Sequence, residues 1–226
     1  MSRIRWLLLI SLLLPYHSFG RSIGKADTSH KPRITEWFPG EMLQTGGNNI
    51  KLLGKPEFIE CPYGKAVAFN GTSDGIFLDQ MPLAGLKEFT IEILLCPTKG
   101  GTIEQRFFHC GEMRGSRVMM ELRSTGTAWY LDAFFKSGDQ QKTLIESAFT
   151  HPLDQWAHVA FVVDHDRQQT FVNGRKELES KLKFQPFEGG KTSLGVRQNE
   201  KSWFKGAIYR IRITSKALKV NQFFKY

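Results

Sequence analysis

Trp156-Ala157-His158-Val159-Ala160-Phe161-Val162-Val163 is followed by a polar break and then by Phe171-Val172-Asn173-Gly174. After a charged interval come Ser193-Leu194-Gly195-Val196-Arg197 and Trp203-Phe204-Lys205-Gly206-Ala207-Ile208-Tyr209-Arg210-Ile211-Arg212-Ile213, closed by Ala217-Leu218. These are short runs of β-branched and aromatic residues bounded by glycine and polar turn residues. That pattern predicts strands folding back on one another rather than helices.

The same rhythm continues upstream. Ile50–Leu53, Gly64–Phe69, Gly75–Asp79, Phe89–Leu95, Arg106–Gly111, Arg117–Arg123, Trp129–Phe135 and Thr143–Ala148 all read as strands, with a turn at 46–49. Asn70-Gly71 between two apolar runs predicts a hairpin, and Asn70-Gly71-Thr72 is also a glycosylation sequon. No window holds a helical period. Many short strands at even spacing predict an all-β fold, a two-sheet antiparallel jelly-roll sandwich.

The chain has 226 residues, 41% hydrophobic and 12% aromatic, which suits one sizeable core. Residues 1–20 carry Arg3 and Arg5, an apolar run from Trp6 to Leu14, and Ser18-Phe19-Gly20 where a peptidase would cut. This predicts a signal peptide. The run is about half the roughly 20 apolar residues that span a bilayer, and no later run is longer. The expected product is therefore secreted, extracellular or periplasmic, with no transmembrane segment after signal removal. Residues 21–40 are polar and aperiodic and read as a lead-in; residues 41–226 form the domain.

Loss of Arg3 and Arg5 takes the formal charge from +9 to +7. A basic exported protein suits acidic polysaccharide or an anionic surface, and it lacks the dense Lys/Arg block expected for nucleic acid. Cys61, Cys96 and Cys110 allow one internal pair at most. Cys96 and Cys110 lie in successive strands and are candidate neighbours, the competing reading being three buried thiols.

Five motifs in order resemble a known family. They are Gly64-Lys65-Ala66-Val67-Ala68-Phe69-Asn70-Gly71, Phe89-Thr90-Ile91-Glu92, Trp156 to Ala160, Val172-Asn173-Gly174, and Phe204 to Ile208 with Ala217-Leu218. Together they are similar to the laminin-G-like and pentraxin-like domains of the concanavalin A-like lectin/glucanase superfamily. The resemblance implies the sandwich, but it leaves function open among sugar binding, protein binding and catalysis.

Two departures qualify what the resemblance implies. Many relatives hold calcium with acidic residues after the closing Gly-x-Ile, where this chain has Tyr209 and Arg210. No cofactor is therefore expected, and a calcium ion could draw only on Asn70, Asp74 or Asp79. Pentraxins join the Phe-Thr and Trp-x-His strands by a disulfide, and the matching positions here are Glu92 and Ala160.

Catalysis has little to stand on. The Glu-x-Asp-x-x-Glu string of glucanases is absent, so Glu92, Glu121 and Asp132 could converge only from different strands. Glu121-Leu122-Arg123 and Phe134-Phe135-Lys136-Ser137-Gly138 echo alginate lyases, yet Phe134 and Gln140 stand where tyrosines are needed. Binding asks for less: an aromatic platform and planar polar groups. Arg123, Trp129 and Asp132, with Tyr130 as the alternative to Trp129, could supply one set. The loop bearing Arg197, Asn199 and Trp203 could supply another. The competing structural reading has Trp203 plugging the core and Arg197 paired with Glu200. The expected function is a non-catalytic carbohydrate-binding domain at a cell surface or in extracellular matrix. The alternatives are a polysaccharide-degrading enzyme of the same fold and a module that meets an extracellular protein.

Overall fold

The computed structural model of the protein describes residues 31–45 and 49–226. The signal-peptide expectation, most of the lead-in and the 46–48 part of the first turn lie outside the described residues.

The described chain opens with β1 (Ile34–Trp37), a short helix α1 (Pro39–Thr45), β2 (Ile50–Leu53), β3 (Glu57–Cys61), β4 (Gly64–Asn70) and β5 (Gly75–Leu78). Next come β6 (Glu88–Pro97), β7 (Glu104–Gly111), β8 (Arg117–Ser124), β9 (Ala128–Ser137), β10 (Gln140–Ile145) and β11 (His151–Pro152). The last strands are β12 (Ala157–Asp164), β13 (Arg167–Val172), β14 (Arg175–Lys181), β15 (Lys191–Leu194) and β16 (Lys205–Thr214). They form two antiparallel eight-stranded sheets. The first is ordered β14-β13-β12-β6-β16-β4-β3 with β1 also on β16, and the second β10-β9-β8-β7-β15-β5-β2 with β11 on β9. The predicted jelly-roll sandwich is thus observed.

Alternation builds the core. From the first sheet Ile91, Ile93, Leu95, Val159, Phe161 and Val163 point inward; from the second Val118, Met120, Leu122, Leu131, Ala133 and Phe135 meet them. Phe89, Phe135, Phe161, Phe184 and Phe187 interlock with ring centroids 5.5–6.4 Å apart, the offset geometry that aromatic quadrupoles favour. A bulge between Thr170 and Phe171 interrupts the register of β13, and two more adjust the pattern. One, between Arg106 and Phe108, buries both Phe107 and Phe108; the other turns Tyr209 outward in β16.

Three expectations change. Asn70-Gly71 does not close a hairpin, because β4 pairs with β16 and β3 while β5 pairs with β15 and β2, in the other sheet. The Asn70 side-chain oxygen instead accepts the N–H groups of Thr72, Ser73 and Asp74 at 2.9–3.2 Å. Asp74, in turn, accepts from the N–H groups of Asn70 at 3.0 Å and Lys55 at 2.9 Å. The turn curls around these acceptors and carries the chain between sheets. Cys96 and Cys110 are not neighbours either. Cys96 faces off the outer side of the first sheet and Cys110 lies in the core from the second; all three thiols are free. Burial pushes the Cys110 thiol up to about 12, which makes it inert. Finally, the sandwich reaches back into the stretch read as lead-in. Ile34–Trp37 pairs with Ile211–Thr214, and Trp37 is buried in the core.

Candidate functional site

The outer face of the second sheet carries an unusual density of charge. Side chains on β7, β8 and β9 that alternate with core residues point away from the sandwich, and cross-strand register sorts them into rows. Glu104, Arg123 and Tyr130 form one row; Arg106, Glu121 and Asp132 form the next. His109, Met119 and Phe134 follow, then Arg117 opposite Lys136.

The first two rows are stitched together by ion pairs. Arg106 Nε donates to Glu121 at 2.9 Å, and Arg123 reaches Asp132 at 2.7 and 2.8 Å through two nitrogens. Glu104 bridges both guanidinium groups and accepts from Ser202 Oγ at 3.0 Å. Burial alone would raise the Glu104 carboxyl. Arg106, by hydrogen bond and charge, and hydrogen bonds from Arg123 and Ser202 draw it down to about 2. Burial pushes Glu121 the other way, up to about 7, against the pull of Arg106. Asp132 shifts upward for the same reason, and its Oδ1 is buried with no partner.

The loop from Arg197 to Trp203 lies along β7. Arg106 N–H donates to Ser202 O at 2.8 Å, Gln198 N–H approaches His109 Nδ1 at 3.4 Å, and the Gln198 amide donates to Gly111 O and Lys191 O. Glu200 and Ser202 adopt left-handed φ of 58° and 57°, a conformation that costs free energy outside glycine and persists where surrounding contacts hold it.

His109, fully buried beneath this loop, is lowered to about 4. Burial is the main cause. The hydrogen bond to Glu112 O opposes it, and Arg117, Arg197 and Arg106 reinforce it. A histidine depressed from 6.5 to about 4 contributes stability that is complete above pH 6.5 and is lost as the pH falls toward 4. The unfolding free energy of wild type minus that of His109→Gln should therefore fall by roughly 3 kcal/mol between pH 7 and pH values below 4. Urea unfolding across that window checks it, and a constant difference would contradict it.

The residues singled out from sequence divide clearly. Arg123 and Asp132 are brought together. Arg197 and Asn199 sit half-buried in the loop along β7, next to Gln198 at its Gly111 end and away from Arg123, with Arg197 Nε and Asn199 Oδ1 buried and unpartnered. Trp129 is corrected: it is fully buried, donates its indole N–H to Pro152 O at 3.1 Å, and cannot meet a ligand. Its neighbour Tyr130 is the half-exposed ring on the outer face. Trp203 is half-buried against Gly75 at the start of β5, three strand spacings or about 14 Å from β8. It does not join Arg123. No ion pair links Arg197 to Glu200 among the described residues; backbone hydrogen bonds of 2.8 and 3.3 Å close that turn instead. Sequence reading missed Glu104, Arg106 and Arg117; cross-strand register brings Glu104 to Arg123, Arg106 to Glu121 and Arg117 to Lys136.

For calcium, the donors are occupied by other contacts. The oxygens of Asn70 and Asp74 are taken by backbone N–H groups, and Asp79 pairs with Lys191 at 3.2 Å. Among the described residues no cluster of three or more His, Cys, Asp or Glu side chains could hold a metal ion, and no helix is long and apolar enough to cross a membrane.

Comparison with solved structures finds the same fold widely. Domain 4 of AbnA, a GH43 extracellular arabinanase from Geobacillus stearothermophilus solved in complex with arabinotriose, superposes with a TM-score of 0.64 at 21% identity. The match covers 85% of this chain and 97% of that one. The native heptameric SAP-like pentraxin from Limulus polyphemus gives 0.57 at 17% identity, over 70% of this chain and 78% of that one. The binding domain of botulinum neurotoxin DC in complex with SialylT gives 0.55 at 10% identity, over 76% of this chain and 44% of the other. No curated protein matches the sequence. The family model for concanavalin A-like lectins/glucanases of laminin G type matches residues 70–222. With that match across the strands that build both sheets, the chain belongs to the concanavalin A-like lectin/glucanase superfamily.

Proposed function

We propose that the protein is an exported, non-catalytic domain that binds carbohydrate at a cell surface or in extracellular matrix, secreted to an extracellular or periplasmic space. The site is the outer face of the second sheet. One observation carries the reading: half-exposed Tyr130 stands in register beside the guanidinium of Arg123, which is held by Asp132 and Glu104. A phenol ring offers a face to the apolar side of a sugar. A locked guanidinium and a carboxylate offer forks to its hydroxyls at little further entropic cost. The solved neighbours with arabinotriose and SialylT support a ligand of this class on this fold.

Catalysis fits less well. Glu121 and Asp132 are 2% and 1% exposed and already ion-paired, so neither is free to exchange a proton with a substrate. A glycan array followed by calorimetry tests the reading. Wild type should bind at least one glycan, and Tyr130→Ala should weaken it about five- to thirtyfold, the loss of one stacking contact of about 1–2 kcal/mol. Binding to no glycan, or unchanged affinity in folded Tyr130→Ala, would overturn it.

A further inference from the structure

We propose that Arg117, Lys136 and Arg197 form an anion subsite on the same outer face as the Tyr130–Arg123 row, six residues or about 20 Å along β8 from it, built to take a carboxylate or sulfate group of an acidic polysaccharide. The proposal rests on the carbohydrate reading and names the chemical class of its ligand.

The first ground is register. Arg117 on β8 and Lys136 on β9 are directly opposite on the outer face. Like charges in that relation destabilise a sheet. Both cations nevertheless converge: Arg117 Nη1 donates to Arg114 O at 3.0 Å, and Lys136 Nζ to the same oxygen at 3.4 Å. Their heads thus lie within about two hydrogen-bond lengths, roughly 6 Å, of each other.

The second ground is the missing counter-charge. Arg106 and Arg123 each hold two carboxylates. Among the described residues Arg117, Lys136 and Arg197 form no ion pair with any. Arg117 is only 8% exposed, its Nε is buried without a partner, and the Nε of Arg197 is likewise orphaned. A guanidinium this buried with no carboxylate paired to it is costly, and an anion seated on its remaining exposed edge would offset that cost.

The third ground is orientation. The Arg117 guanidinium lies over the Phe134 ring, 4.7 Å from its centroid, which holds the group against the sheet. Gln198 fastens the loop to Gly111 O, and Gly111 is the register partner of Arg117, so the loop delivers Arg197 next to that pair. Gly111, at φ 126°, puts no side chain between them. The effect of Arg117 and Arg197 on buried His109 reports the same positive field. An oxyanion set here would meet two planar forks and an ammonium, the donor set that suits carboxylate and sulfate oxygens.

The test titrates the purified full chain with polygalacturonate, heparin, a neutral arabinan and vesicles containing phosphatidylglycerol. Wild type, Lys136→Gln and Arg117→Gln/Arg197→Gln are compared. Wild type should prefer an acidic glycan, and polygalacturonate against heparin tells carboxylate from sulfate. The double variant should bind it at least tenfold more weakly, with less dependence on salt. Lys136→Gln should also lose affinity, yet melt no lower than wild type, because it removes a like-charge pair; this separates loss of the subsite from loss of fold. Preference for neutral arabinan would overturn the subsite while leaving the carbohydrate reading intact. Binding to no glycan would overturn both, and binding to vesicles alone would assign the cations to a membrane surface. Unchanged acidic-glycan affinity in folded Lys136→Gln and double variants would also overturn the subsite.

Discussion

Replacing Glu92 by alanine should destabilise the protein by about 3–5 kcal/mol, the cost of leaving a buried charge without its partner, and set the C-terminal segment loose. Glu92 sits on the outer face of β6 with no exposed surface. Its carboxylate accepts from Arg212 Nε at 2.7 Å, His158 Nε2 at 3.2 Å and the Phe224 N–H at 2.8 Å; Arg212 also donates to Gln222 O at 3.0 Å. One carboxylate thus fastens the last residues across the first sheet, where Phe223 packs with Ala160, Val162 and Phe171. Without it, Arg212 loses its counter-charge and Phe224 N–H its acceptor. Urea unfolding should record the loss, and limited proteolysis should trim residues after Leu218 faster than in wild type. A change below 1 kcal/mol with an equally resistant tail would contradict this. Glu92→Gln, which keeps an acceptor, should fall between the two.

The same residue shows how far sequence carries. Glu92 and Ala160, which the resemblance assigns to the pentraxin disulfide positions, are direct register partners on β6 and β12. The motifs therefore located the strands correctly. Ala157–Asp164 and Lys205–Thr214 coincide closely with the runs that mark the fold, because interior strands paired on both sides carry long apolar runs. Edge strands have no such obligation. Arg175–Lys181 is charged on both faces and pairs on one side only, so in the sequence it shows only as a charged interval. The choice between Trp129 and Tyr130 was within reach of parity: Trp129 keeps step with inward Leu131, Ala133 and Phe135, and Tyr130 with outward Asp132. The network of Glu104, Arg106 and Glu121 was not. It depends on which residue of β7 faces which residue of β8, and a bulge at Arg106 shifts that register.

Arg106→Met is the strongest test of that network. Arg106 is 8% exposed and pairs with Glu104 and Glu121, the latter 2% exposed. Removing the guanidinium leaves Glu121 buried beside Asp132 with no cation of its own. At pH 8 the expected cost is about 3–5 kcal/mol. The pH dependence gives the mechanism away. Glu121 is already raised from 4.5 to about 7 in the native protein, chiefly by burial, with Arg106 holding it from rising further. A carboxyl raised on folding stabilises fully below its unfolded value near 4.5, and that contribution is lost as the pH rises through its folded value. Without Arg106 the folded value climbs above 7, so the loss continues to higher pH. The destabilisation by Arg106→Met should therefore be large at pH 8 and shrink toward pH 5, where Glu121 is neutral in the fold. Adding Glu121→Leu should restore most of the stability at pH 8, because an apolar pair of similar volume carries no stranded charge. Urea unfolding of the two singles and the double variant at both pH values closes the cycle. If the double variant is as unstable as Arg106→Met at pH 8, Glu121 is not the group that Arg106 neutralises, and Glu104 is its principal partner instead.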